Sequence, residues 1–303
     1  MSLMKIFSGT SNKPLAEKIA HEMGTELGPI EIFVFSDGEK RIQIQERVVE
    51  EDCVVVQSTA TPVAENYMEL FFIVDGLKRS GAKSITVVLP YLGYQRQDHV
   101  FRDGEAVSLD VAVHALEGAG TDRVITFDLH SIKIPEVFQV PVAHLSALPL
   151  FAQKIKELGD GFLASPDLGG LRRISKMSEL LDGRKWVATI KDRDLNTGEI
   201  VMSGIEGDEA IIKGKAFIVD DMIASGKTIV ESAKLFHEKG AEEIYVFATH
   251  AVFSQEAPEL LENSLVKKVF VTDSVFVPQA KQFPKLEILS ISKMAAKELR
   301  NER

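Results

Sequence analysis

The 303-residue chain has room for one large domain or two of ordinary size, and its 45% hydrophobic content supplies real cores. A formal charge of −10 argues against a nucleic-acid surface. The single cysteine, Cys53, excludes a disulfide framework and suits a reducing cytoplasm; no apolar run reaches the roughly 20 residues of a membrane span, and the N-terminus lacks a signal-peptide core. Short β-rich runs alternate with helical stretches throughout. Residues 30–35, 54–57, 85–89, 124–127, 186–190, 216–219 and 244–248 predict strands. Such alternation predicts an α/β fold with mostly parallel sheets. Cys53 opens one apolar run and reads as a core residue.

Two segments occur twice. Cys53-Val54-Val55-Val56-Gln57-Ser58, a helix, then Gly81-Ala82-Lys83-Ser84-Ile85 is one copy. Ala216-Phe217-Ile218-Val219-Asp220-Asp221, a helix, then Gly240-Ala241-Glu242-Glu243-Ile244 is the other. Residues 123–128 similarly echo residues 268–273. The period is about half the chain, which indicates a duplicated domain rather than a solenoid. The boundary is expected near residues 143–150. The acid pair of the second copy is Gln57-Ser58 in the first, so a site kept in one half is expected to be lost in the other.

Six segments carry candidate chemistry. Phe35-Ser36-Asp37-Gly38-Glu39 ends a strand and turns; it offers an aromatic and acids to a purine, or is only a hairpin. Residues 91–105 form a long polar loop in which Arg96 could grip a phosphate, the plain alternative being a surface loop. In Asp128-Leu129-His130, strand alternation places the carboxylate and imidazole on one side, a pair able to hold a divalent metal. Residues 162–170 read as a strand entering a glycine turn, with Asp167 available to a metal or sugar, or merely shaping the turn. Lys191-Asp192-Arg193-Asp194 follows a strand and leads into a polar stretch reaching Gly207, either a solvated face or a flap closing on a transferring phosphoryl group.

The sixth is the most informative. Val219-Asp220-Asp221-Met222-Ile223-Ala224-Ser225-Gly226-Lys227-Thr228 is an apolar run, two acids, a small-residue turn and a helix start, with Ile229, Ala233 and Phe236 on one helical face. Backbone amides in such a turn, and the helix N-terminus behind it, favour an anion. The preceding acids suit sugar hydroxyls or Mg²⁺. A phosphorylated pentose meets both demands. A Walker A loop is excluded, because Asp221 stands where that motif requires its first glycine.

Taken in order, these segments resemble ribose-phosphate pyrophosphokinases, the PRPP synthetases, over nearly the whole length from Lys5 to about Ser292. The resemblance implies two phosphoribosyltransferase-type, Rossmann-like domains related by duplication: 1–145 and 146–285, with 286–303 packing back on the first. It implies transfer of the β,γ-pyrophosphoryl group of ATP to the 1-hydroxyl of ribose 5-phosphate, for nucleotide biosynthesis, with Mg²⁺ as cofactor. Asp37, Gly38, Glu39, Arg96 and Gln97 would then bind ATP, with Phe35 near the base. His130 and Asp167 would be magnesium-site residues, and Asp128 is counted with them. Lys191 would be the catalytic lysine, and Arg193 would assist both catalysis and ribose 5-phosphate. Asp220, Asp221, Ala224, Ser225, Gly226, Lys227 and Thr228 would hold that sugar phosphate. A cytoplasmic homo-oligomer, often a hexamer, is implied, and neither nucleic acid nor membrane is expected as a partner.

The chain departs from the family pattern in places. Ala224 stands where most members have an acid, and Ser225-Gly226-Lys227-Thr228 reads like the loop of purine phosphoribosyltransferases. Asp192 and Asp194 interrupt what is commonly a basic run after Lys191. The alternatives are a phosphoribosyltransferase, which needs only one such domain, and a non-catalytic regulatory relative, which would have lost key acids or the lysine.

Overall fold

A computed structural model describes residues 4–193, 200–254 and 256–301. The chain divides into two compact units. The first comprises Met1–Leu145, Ser274–Phe276 and Ser290–Arg303; the second comprises Ser146–Asp273 and Val277–Leu289.

In the first unit the elements run β1 (Lys5–Ser8), α1 (Lys13–Met23), β2 (Ile30–Val34), β3 (Lys40–Ile44), β4 (Asp52–Val56), α2 (Val63–Arg79), β5 (Ser84–Leu89), α3 (Ser108–Ala119), β6 (Arg123–Phe127) and β7 (Val142–Leu145). A five-stranded parallel sheet has the order β1-β4-β5-β6-β7, and β2 and β3 form a separate antiparallel hairpin. Val54, Val55 and Val56 are all buried, as expected where helices cover both faces of a parallel sheet and period-two alternation gives way to a continuous apolar run. Cys53 lies in the same strand, and burial pushes its thiol up to about 12, so it is an inert core residue.

The second unit contains α4 (Leu148–Leu158), β8 (Phe162–Ser165), α5 (Leu171–Leu180), β9 (Trp186–Arg193), β10 (Ile200–Gly207), β11 (Gly214–Ile223), α6 (Lys227–Glu238), β12 (Ala241–Ala251), α7 (Ala257–Glu262), β13 (Val266–Thr272) and β14 (Leu286–Leu289). Its seven-stranded sheet has the order β10-β9-β8-β11-β12-β13-β14, in which only β10 is antiparallel to its neighbour. The order β8-β11-β12-β13-β14 repeats β1-β4-β5-β6-β7, and the β9–β10 hairpin takes the place of β2–β3. The duplication read from the sequence is therefore a duplication of topology. Ile229, Ala233 and Phe236 of α6 are buried against the sheet, as their spacing predicts.

Three expectations need correction. The stretch leading to Gly207 is not an open flap at its far end, because residues 200–207 form β10 and pair with β9. The strand carrying the acid pair does not stop at Val219 but runs on through the acids to Ile223, because the long β12 keeps pairing with it as far as Ala251. The C-terminal segment that belongs to the first unit starts at Ser290, not at 286, because residues 286–289 form β14 and close the second sheet on β13. The final helix, α8 (Ser292–Arg300), then docks in the first unit, where Glu298 bonds Arg123 at 2.5 Å and Arg300 donates to the Glu22 carbonyl at 2.6 Å. Among the described residues, no helix is long and apolar enough to cross a membrane.

Candidate active site

In the second unit, the carboxyl ends of β8, β9 and β11 bring functional side chains together, the usual place for a site in an open α/β sheet. Asp167 follows β8 in extended conformation and caps a single 3₁₀ turn, Leu168–Gly170, its Oδ1 accepting from the Gly170 N–H at 3.1 Å. Its backbone carbonyl accepts from Ser165 Oγ at 2.7 Å. Lys191 of β9 places Nζ 2.5 Å from Asp167 Oδ2. Asp220 and Asp221 lie in β11, and Arg173 of α5 grips both: Nη1 is 2.8 Å from Asp220 Oδ1 and Nη2 is 3.1 Å from Asp221 Oδ1. Asp220 Oδ1 also accepts from the Asp221 N–H at 2.9 Å. Burial, then the adjacent Asp221 charge, holds the Asp220 carboxyl well above the ordinary carboxylate range, against the opposing pull of Arg173.

β11 leads directly into the small-residue turn. Ala224 is fixed through its carbonyl, which accepts from the Ser254 N–H at 2.8 Å. Gly226 has φ 77°, and a Cβ there would lie 3.4 Å from Leu261 Cγ, so glycine suits both the left-handed backbone and the limited room. Lys227 and Thr228 open α6, whose first-turn N–H groups lack intrahelical acceptors and point outward. The turn thus pairs a helix N-terminus with two carboxylates a few residues upstream. Arg193 ends β9, but the role expected of its side chain lies outside the described residues, as does Asp194.

In the first unit, Phe35, Asp37, Gly38 and Glu39 form the tip of the β2–β3 hairpin. Asp37 Oδ1 accepts from the Glu39 N–H at 3.1 Å, Gly38 has φ 93°, and the exposed rings of Phe33 and Phe35 meet edge to face at 5.0 Å. The hairpin alternative of the sequence reading is thus realised, with an aromatic face left open. Arg96 and Gln97 are exposed on the polar loop after β5. Between them and the strand end sits the buried Gln95, whose Oε1 accepts from the His130 N–H at 2.9 Å. That bond joins the Arg96–Gln97 loop to the Asp128–His130 segment. Asp128 leaves the strand with φ 32°, its N–H donating to the Leu145 carbonyl, and the Leu129 N–H donates to His144 Nε2 at 2.9 Å. Asp128 is half-buried, Leu129 buried and His130 exposed, and all three lie beyond the end of β6, so strand alternation does not govern their side chains.

Residues 4–120 match the model for the N-terminal domain of ribose phosphate pyrophosphokinase, and residues 205–302 match the phosphoribosyl synthetase-associated domain. A ribose-phosphate pyrophosphokinase of Fusobacterium nucleatum is 42% identical over 299 residues, spanning 97% of this chain and 93% of that protein. The chain belongs to the ribose-phosphate pyrophosphokinase family. The chloroplastic ribose-phosphate pyrophosphokinase 2 of rice, Oryza sativa subsp. japonica, is 41% identical over 97% of this chain and 74% of its own length. The crystal structure of phosphoribosylpyrophosphate synthetase from Mycobacterium smegmatis superposes with a TM-score of 0.92 at 32% identity, covering 99% of both chains. The chain is thus an enzyme of this transferase and kinase class, with the duplicated α/β fold of that synthetase.

Two features matter for a ribose-phosphate pyrophosphokinase. Among the described residues, no group of three or more His, Cys, Asp or Glu side chains is placed to hold a metal ion. Mg²⁺ needs no such cage, because it keeps waters and substrate phosphates and takes one or two protein ligands. The donor set therefore fits an ion that arrives with the nucleotide. The second feature is Arg173, which sequence reading missed. A signal was available: Arg172 and Arg173 occupy the first turn of α5, where the helix dipole disfavours cations, and no acid accompanies them there. A cation in that position calls for a carboxylate from another element.

Proposed function

We propose that this chain transfers the β,γ-pyrophosphoryl group of ATP to the 1-hydroxyl of ribose 5-phosphate, giving PRPP and AMP. The observation that carries this reading is the convergence of Lys191–Asp167 and Arg173–Asp220–Asp221 beside the small-residue turn before α6. The turn and helix start, residues 224–228, bind the 5-phosphate through backbone amides. Asp220 and Asp221 accept hydroxyl protons of the ribose and orient its 1-hydroxyl for in-line attack. Lys191 moves from Asp167 to the transferring group, and Arg193 adds to the positive charge that stabilises the transition state. Asp167 in the second unit and His130 in the first are each a residue that would ligate Mg²⁺, which would supply charge neutralisation on phosphate oxygens. Phe35, Asp37, Gly38 and Glu39 take the adenine side of ATP, and Arg96 and Gln97 its phosphates and ribose. The working form is a cytoplasmic homo-oligomer; the exposed aromatic tip of the hairpin supports the oligomer.

The test is AMP release from ATP and Mg²⁺ with and without ribose 5-phosphate, with PRPP identified by mass. Ribose-dependent AMP matched one-to-one by PRPP is expected. Turnover of PRPP with an added nucleobase, and no AMP from ATP and ribose 5-phosphate without one, would instead make this a phosphoribosyltransferase. No turnover from folded protein that binds ribose 5-phosphate would make it a regulatory relative, with Ala224 the first residue to restore.

A further inference from the structure

We infer that Arg173 is a positioning residue that sets the geometry with which Asp220 and Asp221 accept ribose hydroxyls. The inference rests on the ribose-binding role proposed above. Asp220 and Asp221 are adjacent in one strand, and their side chains are 18% and 5% exposed. Two carboxylates so close and so little hydrated repel each other, and a cation between them reduces that repulsion. The guanidinium, itself 17% exposed, supplies that cation and reaches each acid with a separate nitrogen. A planar fork fixes direction as well as charge, which an ammonium does not. On Asp220 the fork and the Asp221 N–H both converge on Oδ1, so the carboxylate is oriented with Oδ2 as the oxygen offered to a ligand.

Two further observations support the assignment. The space for the guanidinium is preserved by Gly170, where a Cβ would lie 3.3 Å from Arg173 Nη1 and 2.2 Å from Ser165 Oγ. The internal repeat supplies a control. At the matching end of β4 in the first unit the acids are replaced by Gln57 and Ser58. There the loop after β1 reaches Gln57 Oε1 with Ser11, through its N–H at 3.2 Å and its Oγ at 2.7 Å. In both halves the segment after the first strand reaches the neighbouring strand end, through Ser11 in the first unit and through Arg173 of α5 in the second. The arginine fork accompanies the acid pair, whereas Gln57 in its place is held by Ser11 and by Glu69, itself paired with Lys40.

The experiment is steady-state kinetics on the full chain and on Arg173→Ala, Arg173→Lys and Asp220→Asn, with 2-deoxyribose 5-phosphate as the alternative acceptor. For Arg173→Ala, KM for ribose 5-phosphate should rise about 10- to 100-fold, the loss expected when the partner orienting a ligating group is removed. KM for ATP should stay unchanged, and the preference for ribose over 2-deoxyribose 5-phosphate should collapse. Arg173→Lys should recover part of the affinity and little of the preference, and it carries the test if the alanine variant does not fold. Unchanged KM and unchanged preference, with only a lower Tm, would reduce Arg173 to packing and overturn the inference. A fall in kcat alone would also overturn it, by making Arg173 part of the reacting machinery. Asp220→Asn separates the two levels: if it too leaves ribose 5-phosphate unaffected, the ribose assignment fails, whereas if it weakens the sugar and Arg173 variants do not, only the role of Arg173 fails.

Discussion

Removing Lys191 separates catalysis from stability more cleanly than any other single change. Its ammonium lies 2.5 Å from Asp167 Oδ2, yet the two side chains remain 35% and 26% exposed. Water screens a pair of that exposure, so its contribution to folding is at or below about 1 kcal/mol. For a chain of this size the corresponding change in Tm is at most about 2–4 °C. In its proposed role the same ammonium would move to the pyrophosphoryl group in the transition state, where charge develops and water is excluded. Loss of one such donor costs about 10²-fold or more in kcat, which is ~2.7 kcal/mol. Lys191→Ala should therefore unfold almost with the parent chain while releasing AMP at least about 10²-fold more slowly at saturating ATP and ribose 5-phosphate. Thermal unfolding by circular dichroism and a ribose-dependent AMP assay measure the two quantities separately. A kcat within about threefold of the parent would refute the catalytic role, since that is less than 1 kcal/mol of barrier. A kcat loss accompanied by a collapse in Tm would refute the claim that the ion pair is structurally minor.

Asp220→Asn should raise KM for ribose 5-phosphate more than KM for ATP; equal losses would argue against the sugar assignment. The same variant has a pH signature. Burial, and then Asp221, hold the Asp220 carboxyl above its ordinary range, so the parent is least burdened below the unfolded value of about 3.9 and loses stability as pH rises through the raised native value. Asp220→Asn should thus gain Tm over the parent near neutral pH, with the gap closing on acidification; a gap that widens in acid would reverse the assignment. Gly170→Ala places a Cβ 2.2 Å from Ser165 Oγ, which must leave the Asp167 carbonyl it now bonds at 2.7 Å. Overpacking of about 1–3 kcal/mol and a clear loss of turnover are expected, and wild-type kinetics would show that this turn tolerates displacement. In the first unit, buried Glu69 accepts from Thr10 N–H and Oγ, Gln57 Nε2 and Lys40 Nζ. Burial raises its carboxyl, but Lys40 and Thr10 outweigh that effect and leave it lowered, so its stabilisation is present above the ordinary glutamate value and is lost as pH falls through the lowered one. Glu69→Ala should cost about 3–5 kcal/mol in denaturant unfolding, with the deficit shrinking in acid, and a loss below about 1 kcal/mol would show that Lys40 finds water instead.

Much of the site was legible because its parts are local. In the proposed role, the stretch from Asp220 to Thr228 would work through backbone amides, small side chains and a helix start, all encoded within ten residues. Its position at a strand end followed from the apolar run before it. Asp167 before Gly169-Gly170 and Lys191 after an apolar strand were visible for the same reason. Arg173 was not, because its meaning lies in contacts 47 and 48 residues away in sequence, on a different strand. Gln95 escaped notice similarly: a glutamine inside a polar loop reads as solvated, and only the fold turns it inward to the His130 amide. The extent of β11 and the existence of β10 were also hidden. Both acids and the glycine-containing run 200–207 read as lying outside strands, and a neighbouring strand supplies the hydrogen-bond partners that extend or form one there.

By itself the sequence determined the α/β class, the duplication, and the candidate segments on which the proposed chemistry rests. Periodicity, turn residues and short motifs depend on neighbours a few positions apart, and these are written directly in the chain. Tertiary structure alone decided which side chains meet: that Lys191 rests on Asp167, that one guanidinium serves both acids, and that Gln57 and Glu69 tie together the corresponding corner of the first unit. Those pairings bring together groups separated by a strand, a helix or more. Their strength comes from removal of water, which depends on the packed sheet and not on any local run of residues.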